Sequence, residues 1–112
     1  MAGMALPVVY HPAYEAEWRD LPPAERAALA TAVEKLRADS QLGFPHTSLV
    51  RGSGSGIREL RPRRGRSRWR ALYRRAGTVM VMLAVAPEAA VDRRGFDRAV
   101  AAAERRLSEV EE

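Results

Sequence analysis

GIRELRPRRGRSRWRALYRRAGTVMVMLAVAP, residues 56–87, reads as three strands joined by two tight turns. The first runs from Ile57 to Pro62, and Arg63, Arg64 and Gly65 supply the turn after it. The second, Arg68 to Arg75, ends at Ala76-Gly77. The third, Thr78 to Val85, is closed by Pro87; its Val, Met, Leu and Ala residues follow one another without alternation, the pattern of a central strand buried on both faces. An arginine-loaded meander backed by such a strand predicts a platform that holds something anionic.

Charge counting sharpens this. Residues 51–75 contain ten arginines and one acid, Glu59, a charge of +9. The rest of the chain has nine basic and thirteen acidic residues, or −4, so the whole carries +5. Eighteen arginines against the single Lys35, with twenty alanines, fit a GC-rich genome. That bias accounts for Arg over Lys but not for crowding the arginines into one block, which points to a polyanion-binding surface.

Outward from the meander, Leu6–Tyr10 fits one strand, with Pro7 favouring an edge. His11-Pro12 ends it, and a helix over Ala13–Leu21 follows with Tyr14, Trp18 and Leu21 on one face. Pro22-Pro23 opens a second helix reaching Asp39, since Pro is tolerated in a first turn. Ala28, Leu29, Ala32, Val33 and Leu36 point inward, while Glu25, Arg26, Glu34 and Lys35 form a solvated face. Gln41–Gly56 reads as loop throughout, because Gly43, Pro45, Gly52, Gly54 and Gly56 oppose regular structure. After the meander, Asp92 is an N-cap for a helix over about Asp92–Glu109, where Phe96, Val100, Ala103, Leu107 and Val110 form an apolar seam.

The expected architecture is a single α+β domain over residues 1–112, an antiparallel sheet with an N-terminal helix hairpin and a C-terminal helix. The absence of cysteine excludes disulfides and thiolate metal sites. The longest apolar run, Val79–Pro87, is too short to span a bilayer, so no membrane role is expected. Met1–Val9 has no basic leader or long apolar core, and the expected compartment is the cytoplasm.

The ordered set LP-x-x-x-R from Leu21, LG-x-P-H from Leu42, ELR from Glu59, WRALYR from Trp69 and GFDRAV from Gly95 resembles the RelE/ParE toxin superfamily, in its phage-related HigB-like branch. The resemblance covers Leu21–Arg106. It implies a RelE-like fold and the toxin of a type II toxin–antitoxin system, a ribosome-dependent messenger-RNA endoribonuclease that inhibits translation. The implied partners are a cognate helix-turn-helix antitoxin, the ribosome and messenger RNA, with no metal and no cofactor.

In such chemistry the 2′-hydroxyl attacks the adjacent phosphate, which calls for a base, cations around the phosphorane and an acid. By resemblance Arg70 takes the place of the phosphate-stabilising arginine, and Arg61 a second basic position on the same groove. Alternation puts Arg68, Arg70, Leu72 and Arg74 on one strand face and Trp69, Ala71, Tyr73 and Arg75 on the other. Relatives place a glutamate or histidine in the loop before the meander, where His46 sits; an imidazole serves as base or acid near neutral pH. Glu59 is the competing base and Tyr73 a candidate acid. Arg58, Arg63, Arg64, Arg66, Arg68, Arg74 and Arg94 are candidate RNA contacts. The chain departs from the family pattern at Ile57 and Glu59, where relatives carry lysines, and at Phe96, where they carry tyrosine. Those departures leave two alternatives open: a non-catalytic RNA- or ribosome-binding module, and a ParE-like interaction protein.

Overall fold

The computed structural model describes residues 4–111, so the first three residues of the Met1–Val9 stretch lie outside it. In order the elements are β1 (Val8–Tyr10), α1 (Pro12–Arg19), α2 (Pro23–Ala38), β2 (Thr47–Leu49), β3 (Arg58–Leu60), a 3-10 turn (Pro62–Gly65), β4 (Trp69–Ala76), β5 (Val79–Pro87) and α3 (Arg93–Glu111). The strands form one sheet, ordered β1-β5-β4-β3-β2. No helix among the described residues is long and apolar enough to cross a membrane.

The meander is present as expected. The β4–β5 hairpin pairs Trp69 with Pro87 at one end and Ala76 with Val79 at the other. Gly77 begins its turn at φ 63°, which a residue without Cβ adopts cheaply. β5 supplies both cores. Met80 and Met82 join Leu60, Ala71 and Tyr73 beneath the α1–α2 hairpin, packed on Tyr14, Leu29, Val33 and Leu36. Val81, Leu83, Ala84 and Ala86 join Ile57 and Leu72 beneath α3, against Phe96, Ala103 and Leu107. That double burial is why the strand shows no polar alternation.

β5 also carries a bulge. Leu72 pairs with Ala84 but Tyr73 with Met82, so Leu83 is the extra residue, and Leu83 and Ala84 both face α3. Short β1 pairs only with Met80–Met82, leaving the β5 edge open beyond that point. Two side chains close it. Arg106 Nη1 donates to the Leu83 carbonyl at 2.8 Å, and Glu17 Oε1 accepts from the Val85 amide at 3.0 Å. Glu17 and Arg106 in turn pair through both carboxylate oxygens at 3.0 and 2.9 Å, which ties α1 to α3. Asp92 caps α3 as expected, its Oδ1 accepting from Gly95 N at 2.9 Å.

Two expectations are corrected. The sheet is mixed, because β1 runs parallel to β5 while the other pairs are antiparallel. A three-residue strand at the edge, paired with a segment seventy residues later, carries no local signal of its direction. The Gln41–Gly56 stretch is not all loop, since β2 pairs antiparallel to β3 through Thr47↔Leu60, Ser48↔Glu59 and Leu49↔Arg58. Thr47 fixes it: fully buried, its hydroxyl donates to the Leu42 carbonyl at 2.6 Å and accepts from Arg58 Nη2 at 3.1 Å.

Candidate nucleic-acid interface

The turn between β3 and β4 is where the arginine block leaves the sheet. Arg63 (φ 53°, ψ 37°) and Arg64 (φ 57°, ψ 34°) both occupy the left-handed region, which costs a residue with Cβ roughly 1–2 kcal/mol. The surroundings hold them there. Arg63 Nη1 donates to Glu25 Oε1 and Oε2 at 3.0 and 2.6 Å, and its Nη2 to the Ala24 carbonyl at 3.3 Å. Ser67 Oγ donates to the same Glu25 at 2.9 Å and accepts from Trp69 N at 3.1 Å. Hydrogen bonds from Arg63 and then Ser67 hold the Glu25 carboxyl below its ordinary range. Glu25, expected on a solvated face, is therefore the anchor of the turn on the first turn of α2.

Arg70 anchors the turn from within. Expected to contact phosphate, it is only 2 % exposed. Its Nη1 donates to the carbonyls of Ser67 (2.6 Å) and Trp69 (2.9 Å), its Nη2 to Gly65 O (3.3 Å) and Glu88 Oε2 (2.7 Å). Its Nε lies 3.4 Å from Glu59 Oε1. With its donors spent inside the fold, Arg70 presents nothing to a phosphate in this structure. Glu59, the competing base, shares that same Oε1 with Arg61 Nη2 at 3.1 Å, so one carboxylate oxygen lies between two guanidinium groups. Tyr73, the candidate acid, is 1 % exposed in the core under the helix pair, and no substrate reaches its hydroxyl there. Phe96 is buried on the opposite face.

The other candidates divide by exposure. Arg58 is half-buried and spends Nη2 on Thr47, and Arg74 is half-buried on β4. Arg66 is exposed and folds back on the Arg63 carbonyl at 3.3 Å. Arg64, Arg68 and Arg94 are exposed and form no side-chain hydrogen bond or ion pair with the described residues.

His46 and Arg61 are brought together. Arg61 N donates to the His46 carbonyl at 2.7 Å, continuing the β2–β3 ladder by one step. Both line a cleft of about 350 Å³ between α2 and the turn, with Lys35, Arg63 and Arg64. Its charged lining is wholly cationic. The half-buried His46 side chain makes no hydrogen bond or ion pair with the described residues. Arg61 is oriented by Ser48 Oγ, which accepts from its Nε at 3.2 Å and its Nη2 at 3.1 Å. It also lines a second cleft of about 360 Å³ on the α3 side, with Phe44, Leu49, Arg51, Arg93 and Phe96.

The family description "Phage derived protein Gp49-like" matches residues 16–86, more than half of the sequence and all of the site except Glu88 and the start of α3. The chain belongs to the Gp49-like family. No curated protein matches the sequence. Among solved structures, this Gp49-like chain is similar to the toxin–antitoxin complex RelBE2 from Mycobacterium tuberculosis, at 22% identity, covering 73% of this chain and 96% of that one with a TM-score of 0.58. It is similar to the archaeal RelE–RelB complex from Pyrococcus horikoshii OT3, at 18% identity over 75% and 96% of the two chains, TM-score 0.56. A mutant of the E. coli toxin RelE in the free state is similar at 16% identity over 85% and 97%, TM-score 0.50. The fold of the Gp49-like chain is thus RelE-like, as the ordered motifs implied.

Sequence reading missed several members of the site. Glu88 follows β5, and once the Gly77 turn sets the register it lies beside Arg70, a signal present in the hairpin spacing. Phe44 stood at the unassigned position of LG-x-P-H, and Arg51 lay in a glycine-rich run. Chemically, the site of the Gp49-like chain gathers Lys35, Arg61, Arg63 and Arg64 around an imidazole that has no hydrogen-bond or ion-pair partner among the described residues.

Proposed function

We propose that this protein is the toxin of a type II toxin–antitoxin pair and that it cuts messenger RNA on the ribosome. The observation that supports this best is His46, an imidazole with no hydrogen-bond or ion-pair partner among the described residues, in a cleft whose charged lining is Lys35, Arg61, Arg63 and Arg64. Guanidinium forks match phosphate oxygens and stay charged, so they serve the phosphorane but not the proton. His46 takes the proton from the 2′-hydroxyl as that oxygen attacks phosphorus, and Arg61 stands beside it for the developing charge. The bond from phosphorus to the 5′-oxygen breaks as the new one forms, and the departing oxygen takes a proton from water, leaving a cyclic phosphate and a 5′-hydroxyl end with no metal in the step. A small helix-turn-helix antitoxin restrains the toxin, and the compartment is the cytoplasm.

A second reading has its own observation. Arg70, which the resemblance assigns to the phosphate, and Tyr73, the candidate acid, are both buried, and Phe96 carries no hydroxyl; this favours a module that binds RNA or the ribosome without cutting. Induction without antitoxin, followed by primer extension on total messenger RNA, tests the two readings. Growth arrest with new 5′ ends inside codons, lost in His46→Ala, is the expected result. Arrest with intact messenger RNA selects the non-cutting module. Neither arrest nor cleavage rejects the toxin.

A further inference from the structure

Phe44 is 78 % exposed, more than the other exposed large apolar side chains of the described residues. The turn that carries it does not need the ring. Gly43 O accepts from His46 N at 2.9 Å and Thr47 N at 3.1 Å, and Thr47 Oγ1 donates to Leu42 O, so backbone and threonine close the turn. Phe44 is therefore held out to solvent by a fixed support, at the cost of hydrating a large apolar face. One ring face is engaged: the Arg61 guanidinium carbon lies 5.6 Å from the centroid. The other face is open. Around the ring, the α3-side cleft supplies Arg51, Arg61 and Arg93, while its acid, Glu59, is taken up by Arg61 and Arg70. Arg93 pairs with Asp97 at 3.2 Å, but both are exposed, and such pairs yield readily to a better anion.

A flat apolar face projecting among cations suits a ligand that is itself flat, aromatic and anionic. We infer that Phe44 is a stacking platform for one unpaired RNA base, with that nucleotide's phosphates meeting Arg51, Arg61 and Arg93. A peptide anchor would seek a hole in which to bury a side chain, whereas Phe44 stands proud of the surface. This inference rests on the RNA-binding part of the reading above and adds a position and a ligand group to it.

The test is fluorescence anisotropy of a short labelled oligouridine with the full chain as wild type, Phe44→Ala and Phe44→Trp. Stacking on one base is worth enough that Phe44→Ala should weaken binding about tenfold, with the salt slope unchanged because no phosphate contact is lost. Phe44→Trp should restore affinity, and its added fluorescence should be quenched by the RNA. An oligomer with abasic sites should lose the same factor on the wild type and nothing further on Phe44→Ala. Thermal unfolding of Phe44→Ala should match wild type, since the ring is outside both cores. If Phe44→Ala binds oligouridine as tightly as wild type while Arg61→Ala does not, the platform is refuted and the RNA reading stands. If the wild type binds no RNA even at low salt, the RNA reading fails first. A loss confined to polyglutamate binding makes the surface a protein contact and overturns the inference.

Discussion

The Arg70 guanidinium meets the Glu88 carboxylate at 2.7 Å, joining β4 to the residue that follows β5. Because Arg70 is buried and also holds Glu59 and the Gly65 and Ser67 carbonyls, its removal is first a folding event. Breaking such a buried pair by deleting one partner costs about 3–5 kcal/mol, since carboxylates and carbonyls are left unpaired. In a domain of this size Arg70→Ala should lower Tm by on the order of 15 °C. Arg70→Lys should recover only part, because one ammonium cannot reach all five acceptors. Restoring neutrality with Glu59→Gln and Glu88→Gln in the Arg70→Met background should return some of the loss. An Arg70→Ala protein that melts with wild type yet no longer cleaves RNA would show that Arg70 works on the substrate instead.

The Glu25 latch predicts an acid-sensitive turn. Its folded-state pKa is depressed by Arg63 and Ser67, so it stabilises the fold above the ordinary carboxylate value near 4.5. That contribution is lost as pH falls from there through the lower folded value. Glu25→Gln should be less stable than wild type at neutral pH. The gap should narrow on acidification, as measured by urea unfolding at a series of pH values. A constant gap would mean that the amide loses only packing, and that the carboxylate charge does not hold the turn.

Much of the fold was legible because it depends on local chemistry. Gly77 marks the β4–β5 hairpin, unbroken apolar residues mark β5 as doubly buried, Pro23 and Asp92 start their helices, and the Phe96–Leu107 seam packs where expected. What escaped depends on distant partners. The parallel direction of β1 follows from pairing with Met80–Met82, and β2 exists because Thr47 reaches Leu42 and Arg58. The site was legible as a charge block but not arginine by arginine. Strand alternation placed Arg70 on the correct face, yet nothing local reveals that Glu59 and Glu88 converge on it. Ten like side chains also conceal which are structural and which are spare.

The arginines that reach solvent give the next expectation. Arg61, Arg64 and Arg68 reach solvent, whereas Arg70 does not, so the salt dependence of RNA binding should come from the first three. Each phosphate contact on a single strand contributes a log-log slope of about −0.7, so replacing all three by Ala should flatten the slope by about two units. Anisotropy titrations over a range of salt concentrations measure this. An unchanged slope would place the RNA on another face.

His46 supplies the sharpest separation of folding from chemistry. Its side chain has no hydrogen-bond partner among the described residues and lies half-exposed in the cationic cleft, so His46→Ala should alter stability by no more than about 0.5 kcal/mol. The cleft keeps Arg61, Arg63 and Arg64, so binding to RNA should survive nearly intact. Cleavage should not: losing a general base commonly costs a factor of about 10²–10⁴. His46→Gln, which keeps polarity but cannot exchange a proton, should behave as His46→Ala. Stability by thermal unfolding, affinity by anisotropy and cleavage by primer extension should then move independently. If both variants cleave at the wild-type rate, the proton goes elsewhere, and the carboxylate of Glu59 is the remaining group beside Arg61 able to take it.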